Sequence, residues 1–377
     1  MKTGKKKFLF MYLKTGGGHL APARSLANYI DKYKNENAEV FLIDGFEKTI
    51  KYGKFIVEDG YRILQNKAKW IYEFIYAIHK FEIISHISAY LVSINTEKYL
   101  TEVILKEKPD KIVIFHFFLI QPVYKVLRKY NITIPVITVV TDPYIAHPIW
   151  FLNKKQNLIV FSQKLKTYCV KKGFKPKSIK VFPFILDEKF SFQPSQKEIE
   201  EIKRKHDFTK SKVLLIMGGG DGIPKGIKIL KSILSVNLDF EIAFVCGKNK
   251  KMYDEALKIK EEKNLGRLKI YGYIDFVYEL LCISDLVITK CGASTFMEIL
   301  LSGKIPIVNS YIWEQEKGNV DFMIENELGI FEKNINRLSP VISELFEENE
   351  LLNKYHSNIK NAGLKNGTAE VVEYILN

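Results

Sequence analysis

Residues Lys290 to Asn319 read KCGASTFMEILLSGKIPIVNSYIWEQEKGN. The apolar run just before it, Leu286 to Ile288, is expected to be a buried strand. The small residues Gly292, Ala293 and Ser294 then release the chain into a helix predicted to begin near Thr295. Free N–H groups at such a helix start can hold a diphosphate. One turn on, the carboxylate of Glu298 offers two acceptor oxygens to a vicinal diol such as a ribose. Thr295-x-x-Glu298 is equally a capping box, in which the glutamate serves the helix's own N–H groups, and the pattern leaves both readings open. A second short strand, Ile305 to Asn309, is followed at once by Gln315, Glu316, Lys317, Gly318 and Asn319. Polar density at the end of a buried strand suits the edge of a hexose or a phosphate, so the stretch has the layout of a nucleotide-sugar pocket.

Outward from this stretch the same alternation recurs. Strand-like runs at Val213–Met217, Glu241–Val245, Leu268–Tyr271, Asp285–Ile288 and Ile305–Val308 are separated by helix-length intervals. An earlier series lies at Phe8–Leu13, Val40–Ile43, Lys111–Phe115, Val136–Val140, Leu158–Phe161 and Lys180–Val181. Alternation of this kind predicts an α/β chain with parallel, doubly wound sheets. At 377 residues and 47% apolar side chains the chain is too long for one typical core. The polar stretch SFQPSQKEIEEIKRKHDFTK marks the boundary, giving an N-terminal domain over 1–190 and a C-terminal domain over 191–360. A last helix, about 360–377, is placed to pack back on the first domain. Two such domains are expected to face a central cleft, each presenting its strand C-termini to it.

Charge is divided unevenly. Residues 1–190 hold 32 Lys/Arg and 16 Asp/Glu, a balance of +16, whereas residues 191–377 hold 25 and 27, a balance of −2. The first half therefore suits an anionic partner. Cys169, Cys246, Cys282 and Cys291 lack C-x-x-C spacing and read as free thiols. No stretch reaches the roughly eighteen apolar residues that a membrane span needs, so membrane contact is expected to be peripheral. From about Ile50 to Leu100 the sequence is helical in character and rich in rings. Trp70, Tyr72 and Phe74 beside Lys67 and Lys69 resemble an interfacial surface, with the core of two long helices as the competing reading. The basic pI of about 9.2 raises nucleic acid as a partner, but no nucleic-acid recognition motif is present.

The first strand ends in Thr15-Gly16-Gly17-Gly18-His19, with Ala21 and Pro22 expected to open the next helix. At a helix N-terminus the local potential favours neutral imidazole, the form a general base requires, so His19 is the candidate base. Asp142, in Thr141-Asp142-Pro143, follows the strand Val136–Val140 and is a candidate to orient His19 or an acceptor hydroxyl. His147 and Trp150, in His147-Pro148-Ile149-Trp150, join Gly16, Gly17 and Gly18 as candidate acceptor or phosphate contacts. The second domain opens with Gly218-Gly219-Gly220-Asp221-Gly222, a loop able to pass close to a sugar-phosphate. It lacks the Gly-Lys-Ser/Thr ending of a P-loop, which argues against an NTPase.

Taken in order, TGGGH, TDPYIAHPIWF, GGGDG and TKCGASTFMEILLSGKIPIV followed by WEQEKGN resemble monogalactosyldiacylglycerol synthases and processive diacylglycerol glucosyltransferases, of the GT-B, family 28-like group. The likeness spans nearly the whole chain. It implies an inverting, metal-independent transfer of a hexose, galactose or glucose, from a UDP-sugar to 1,2-diacylglycerol, without a cofactor, on the cytoplasmic face of the cell membrane. It also implies His19 as base, Glu298 on the ribose, and Gln315, Glu316 and Asn319 around the hexose and diphosphate. With Gly218, Gly219, Gly220, Gly292, Ser294 and Thr295 these form the expected donor set. Leu13-Lys14 stands where the family commonly has Ser-Asp, no glycine precedes Phe182-Pro183-Phe184, and Cys291 replaces a more usual proline. Transfer to a sterol or polyprenyl-linked sugar, and nucleotide-sugar 2-epimerisation on the same fold, are the alternatives.

Overall fold

The structure is a computed structural model that describes residues 4–15, 17–48, 69–236 and 239–377, with the backbone alone at 69 and 72. Gly16 and Lys67 lie outside the described residues, as do the side chains of Lys69 and Tyr72. The chain forms two compact units, one of residues 1–188 with 366–377 and the other of residues 189–365.

The first unit is built on a six-stranded parallel sheet. Its strands are β1 (Lys6–Tyr12), β2 (Ala38–Asp44), β3 (Lys111–Ile114), β4 (Val136–Val139), β5 (Asn157–Val160) and β6 (Ile179–Val181). Their order is β2-β1-β3-β4-β5-β6, so the direction of winding reverses between β1 and β3. In register, Phe10 sits beside Leu42 on one side and Val113 on the other. Helices cover both faces of such a sheet, which is why β1, β3 and β4 read as unbroken apolar runs.

After β1 the helix Gly17–Tyr33 presents Ala23, Leu26, Ala27 and Ile30 to the core at three- and four-residue spacing. It begins five residues before Pro22, earlier than the sequence suggested. Pro22 falls in its second turn, where the bond that proline cannot make is the one to the carbonyl of Gly18. The helix Thr368–Leu376 packs on Gly17–Tyr33 and belongs to this unit although it follows the second unit in sequence. Lys111 Nζ donates to the Ile375 carbonyl (2.6 Å), and Lys34 pairs with Glu373 (2.6 Å). Asn366 ties this return to the segment after β6. Its Nδ2 donates to the carbonyls of Leu186 (3.2 Å) and Asp187 (2.8 Å), and its Oδ1 accepts from Leu186 N–H (3.2 Å).

The helices Lys69–Ile78 and Glu82–Glu107 carry the ring-rich interval. The second is inverted relative to an ordinary surface helix. Ser85, Ser93 and Thr96 are fully buried, while Ile83, Ile87, Tyr90, Leu91 and Ile94 are each more than half exposed. Those five positions fall on one helical face. Trp70, Phe74 and Phe81 are exposed as well, at 73%, 62% and 67%. Among the described residues no helix is long and apolar enough to cross a membrane.

The second unit repeats the plan. Its strands are β7 (Val213–Ile216), β8 (Glu241–Val245), β9 (Leu268–Tyr271), β10 (Leu286–Lys290), β11 (Ile305–Ser310) and β12 (Ile330–Phe331). They lie in the order β12-β11-β10-β7-β8-β9, reversing between β7 and β10. The two-residue edge strand β12 is absent from the sequence reading.

Candidate active site

In an open parallel sheet, ligands bind beyond the carboxyl ends of the strands at the point where the winding reverses. In the first unit that point lies between β1 and β3, and His19 sits there. It is the third residue of the helix that follows β1. Its Nδ1 lies 2.8 Å from the carbonyl oxygen of Phe115, just past β3, and 2.9 Å from Thr141 Oγ1, just past β4. A carbonyl oxygen only accepts, so Nδ1 carries the proton and Nε2 keeps its lone pair. Burial pulls the His19 pKa down to about 4, against a smaller opposing effect of the Phe115 bond, so the ring is neutral at physiological pH. Its position at a helix N-terminus acts in the same direction. A neutral imidazole with one nitrogen anchored and the other free to accept is the arrangement of a general base.

The ring is walled by His116, whose centroid is 4.4 Å away at 60°, and by Trp150 at 6.1 Å. Burial, with His19 as a lesser cause, holds His116 well below the usual imidazole range. The His116 Nδ1 accepts from Phe118 N–H (3.2 Å), capping a short 3-10 turn. Gly17 and Gly18 are exposed, and a Cβ added at either would meet nothing within 4 Å.

Three first-unit candidates take different places from those the sequence suggested. His19 is oriented by Phe115 and Thr141 and not by Asp142, whose Oδ2 accepts from the Trp150 indole N–H at 3.0 Å. Trp150 is fully buried, so it supports the wall beside His19 and presents no face to an acceptor. His147 spends both ring nitrogens inside the fold. Nδ1 accepts from Ile149 N–H (3.1 Å), and Nε2 donates to the Tyr76 carbonyl (3.3 Å), which ties the helix Lys69–Ile78 to the body of the unit. Sequence reasoning missed the roles of Phe115, His116 and Thr141. The motif Phe115-His116-Phe117 at the end of a buried strand was the available signal for two of them.

In the second unit the reversal lies between β7 and β10, and two glycine loops meet there. Gly218 closes the turn after β7 because a Cβ would strike the Gly222 carbonyl. Gly222 has φ +78, a conformation that glycine adopts freely. Gly218 is therefore held by packing, whereas Gly220 has open space on its Cβ side and Gly219 faces the Lys290 side chain. The register of β10 against β11 shifts between Thr289 and Lys290. The helix then runs Ala293–Leu301 with Gly292 at its cap and no side-chain capping bond. Thr295 thus lies inside the first turn, so of the two readings of Thr295-x-x-Glu298 the capping box, which needs Thr295 at the cap, does not form. Phe296 N–H is bonded to the Gly292 carbonyl (2.8 Å), which leaves the N–H groups of Ala293, Ser294 and Thr295 without intrahelical partners. Glu298 is half-buried in the second turn.

Gln315 is half-buried, and Glu316 and Asn319 are buried. Asn319 Nδ2 donates to the Cys291 carbonyl (2.9 Å), so this side chain ties the helix Lys317–Glu325 to the end of β10. Glu316 accepts from Lys290 Nζ (3.2 Å) and from Ile312 N–H (2.7 Å).

Residues 19–183 match the family model described as monogalactosyldiacylglycerol (MGDG) synthase, and residues 213–370 match that of the glycosyltransferase family 28 C-terminal domain. The two matched regions together span most of the chain, which is similar to monogalactosyldiacylglycerol synthases and processive diacylglycerol glucosyltransferases. It is 26% identical over 373 residues to the processive diacylglycerol beta-glucosyltransferase of Bacillus pumilus, covering 98% of this chain and 94% of that protein. It is likewise 26% identical to the chloroplastic monogalactosyldiacylglycerol synthase of Spinacia oleracea, covering 92% of this chain and 67% of that protein. A Nicotiana tabacum relative, 24% identical, is matched over 64% of its length, so the chain spans under two thirds of it. A crystal structure of MurG from Acinetobacter baumannii superposes with a TM-score of 0.61 at 16% identity, covering 98% of this chain and 99% of that one. The two sheets are those of the GT-B fold.

Proposed function

We propose that this chain is an inverting glycosyltransferase that moves a hexose from a UDP-sugar to the hydroxyl of 1,2-diacylglycerol at a membrane surface. The observation that carries the chemistry is the His19–Phe115 bond, because it leaves Nε2 as the accepting atom. In this reading Nε2 takes the proton of the diacylglycerol hydroxyl as that oxygen attacks the anomeric carbon. The glycosidic bond to UDP breaks on the opposite side, which inverts the centre. Charge developing on the leaving diphosphate is met by the unbonded N–H groups of Ala293, Ser294 and Thr295. Glu298 binds the ribose and Gln315 the hexose. No metal is needed for any of these steps. Relatives are named for galactosyl and for glucosyl transfer alike, so both hexoses are candidate donors, galactose being the first to test. Those names also favour diacylglycerol over a sterol or polyprenyl acceptor, and transfer over epimerisation.

The membrane reading rests on the inverted helix. A helix that buries serines and turns isoleucine and leucine outward is stable against an apolar medium and costly against water. The +16 balance of residues 1–190 suits an anionic, cytoplasmic membrane face. The test is a radiolabelled transfer assay with diacylglycerol vesicles and each UDP-hexose. Labelled glycolipid is the expected product. Its absence with both hexoses, when donor and lipid are demonstrably accessible, refutes the proposal.

A further inference from the structure

We propose that Lys290 is a diphosphate-binding residue of the donor site, and that Glu316 is the counter-charge from which it is drawn when the nucleotide arrives. This rests on the donor reading given above. The side chain of Lys290 is aimed by the register shift between Thr289 and Lys290, the kind of irregularity that redirects a strand's last residue beside a binding site. It runs across the point where both glycine loops converge. A Cβ built on Gly219 would lie 3.3 Å from Lys290 Cε, and one built on Gly292 would lie 3.4 Å from Nζ. The ammonium therefore sits beside the cap of the helix Ala293–Leu301.

That position is electrostatically unfavourable for a cation, because a helix N-terminus is itself a region of positive potential. The carboxylate of Glu316, 3.2 Å from Nζ, offsets part of that potential. Ser294 Oγ, in the first turn of the same helix, is shielded from solvent with no hydrogen-bond partner in the structure. A lysine ammonium, a helix N-terminus and a sequestered hydroxyl around one helix start are what a doubly charged anion requires. Glu316 remains held through its other oxygen by Ile312 N–H (2.7 Å), so Lys290 can turn to phosphate without releasing the carboxylate from its seat.

Truncating Lys290 alone would leave the buried Glu316 carboxylate without its counter-ion, so the test pairs Lys290→Met with the double variant Lys290→Met/Glu316→Gln and with Glu316→Gln alone. Binding of UDP and of uridine to the full chain is measured by calorimetry. The expected result is that both Lys290 variants bind UDP about tenfold more weakly or worse, with uridine affinity unchanged, a charge-assisted contact being lost from phosphate only. Glu316→Gln is expected to bind UDP at least as tightly as the wild type, since the Glu316 carboxylate no longer competes with the nucleotide for Lys290. Three results overturn the inference while leaving the donor reading standing: UDP affinity within about twofold of wild type in the double variant, equal losses for UDP and uridine, or a loss in Glu316→Gln as large as in Lys290→Met. A wild-type protein that binds neither UDP nor a UDP-hexose defeats the donor reading itself, and this inference with it.

Discussion

The Nδ1 of His19 lies 2.8 Å from the main-chain carbonyl oxygen of Phe115, and this one bond sets the tautomer of the candidate base. Replacing His19 by alanine is expected to lower kcat by about two to four orders of magnitude, the usual contribution of a general base. Burial holds the His19 pKa at about 4, so the base is lost only as pH falls towards that value. The pH profile of kcat/KM should accordingly show no inflection from this group near pH 6.5. An inflection there that disappears in a His19 variant would contradict the assignment.

Thr141 supports the same nitrogen through its side chain, at 2.9 Å. Thr141→Val keeps the shape and removes the hydroxyl. A neutral hydrogen bond contributes roughly 0.5–1.5 kcal/mol, so kcat should drop about two- to tenfold with donor KM unchanged. Steady-state kinetics at saturating lipid would read this directly.

Asp142 is expected to matter for stability more than for the pH dependence of turnover. Asp142→Ala leaves the fully buried Trp150 indole N–H without its acceptor, at a cost of about 1–3 kcal/mol. Asp142→Asn can still accept that bond and should unfold close to the wild-type denaturant midpoint. If Asp142→Asn instead abolished turnover with stability intact, Asp142 would belong with the reacting groups.

Acid should destabilise the fold through the same buried histidine. The folded pKa of His19 is depressed, so its contribution is fully present above the unfolded value of 6.5 and is lost as pH falls towards about 4. For this group alone the loss between pH 7 and pH 5 is about 2 kcal/mol. Urea unfolding of wild type and His19→Asn at the two pH values should differ in slope against pH, with the variant flatter. Parallel slopes would mean that His19 titrates normally in the folded protein.

The outward face of the helix Glu82–Glu107 offers a separate measurement. Ile87→Ser/Leu91→Ser/Ile94→Ser removes three side chains that are more than half exposed. At about 1 kcal/mol for each partly transferred side chain, vesicle partitioning should weaken roughly 100-fold. Uridine diphosphate binding, a property of the other unit in this reading, should not change. Partitioning should also weaken with salt and with neutral lipid.

Much of the fold is legible in the sequence because parallel strands covered on both faces leave long apolar runs. Glu241–Val245 and Leu268–Tyr271 fall where those runs end. β12 is too short to carry a pattern. The helix after β10 starts at Ala293 because Gly292, not Thr295, takes the extended cap conformation, and small residues in succession do not reveal which of them will do so. At the site, His19 is legible from the glycine run before it. Its actual partner is a main-chain carbonyl, which any residue at position 115 supplies, so no side chain marks it. Asp142 follows the predicted strand Val136–Val140 and so is expected near His19, but a shared strand end does not reveal that the indole N–H of Trp150 bonds this carboxylate.

The return of the helix Thr368–Leu376 to the first unit has a consequence for synthesis. Val371, Val372 and Ile375 are fully buried, and Lys111 donates to the carbonyl of Ile375. Translation delivers these residues only after the whole second unit has emerged. The first unit therefore waits, with the surface of Gly17–Tyr33 that this helix covers still bare, while the ribosome completes a domain that folds from its own contiguous stretch. A nascent chain halted before Asn366 has every residue of the second unit but lacks the helix that covers this surface of the first.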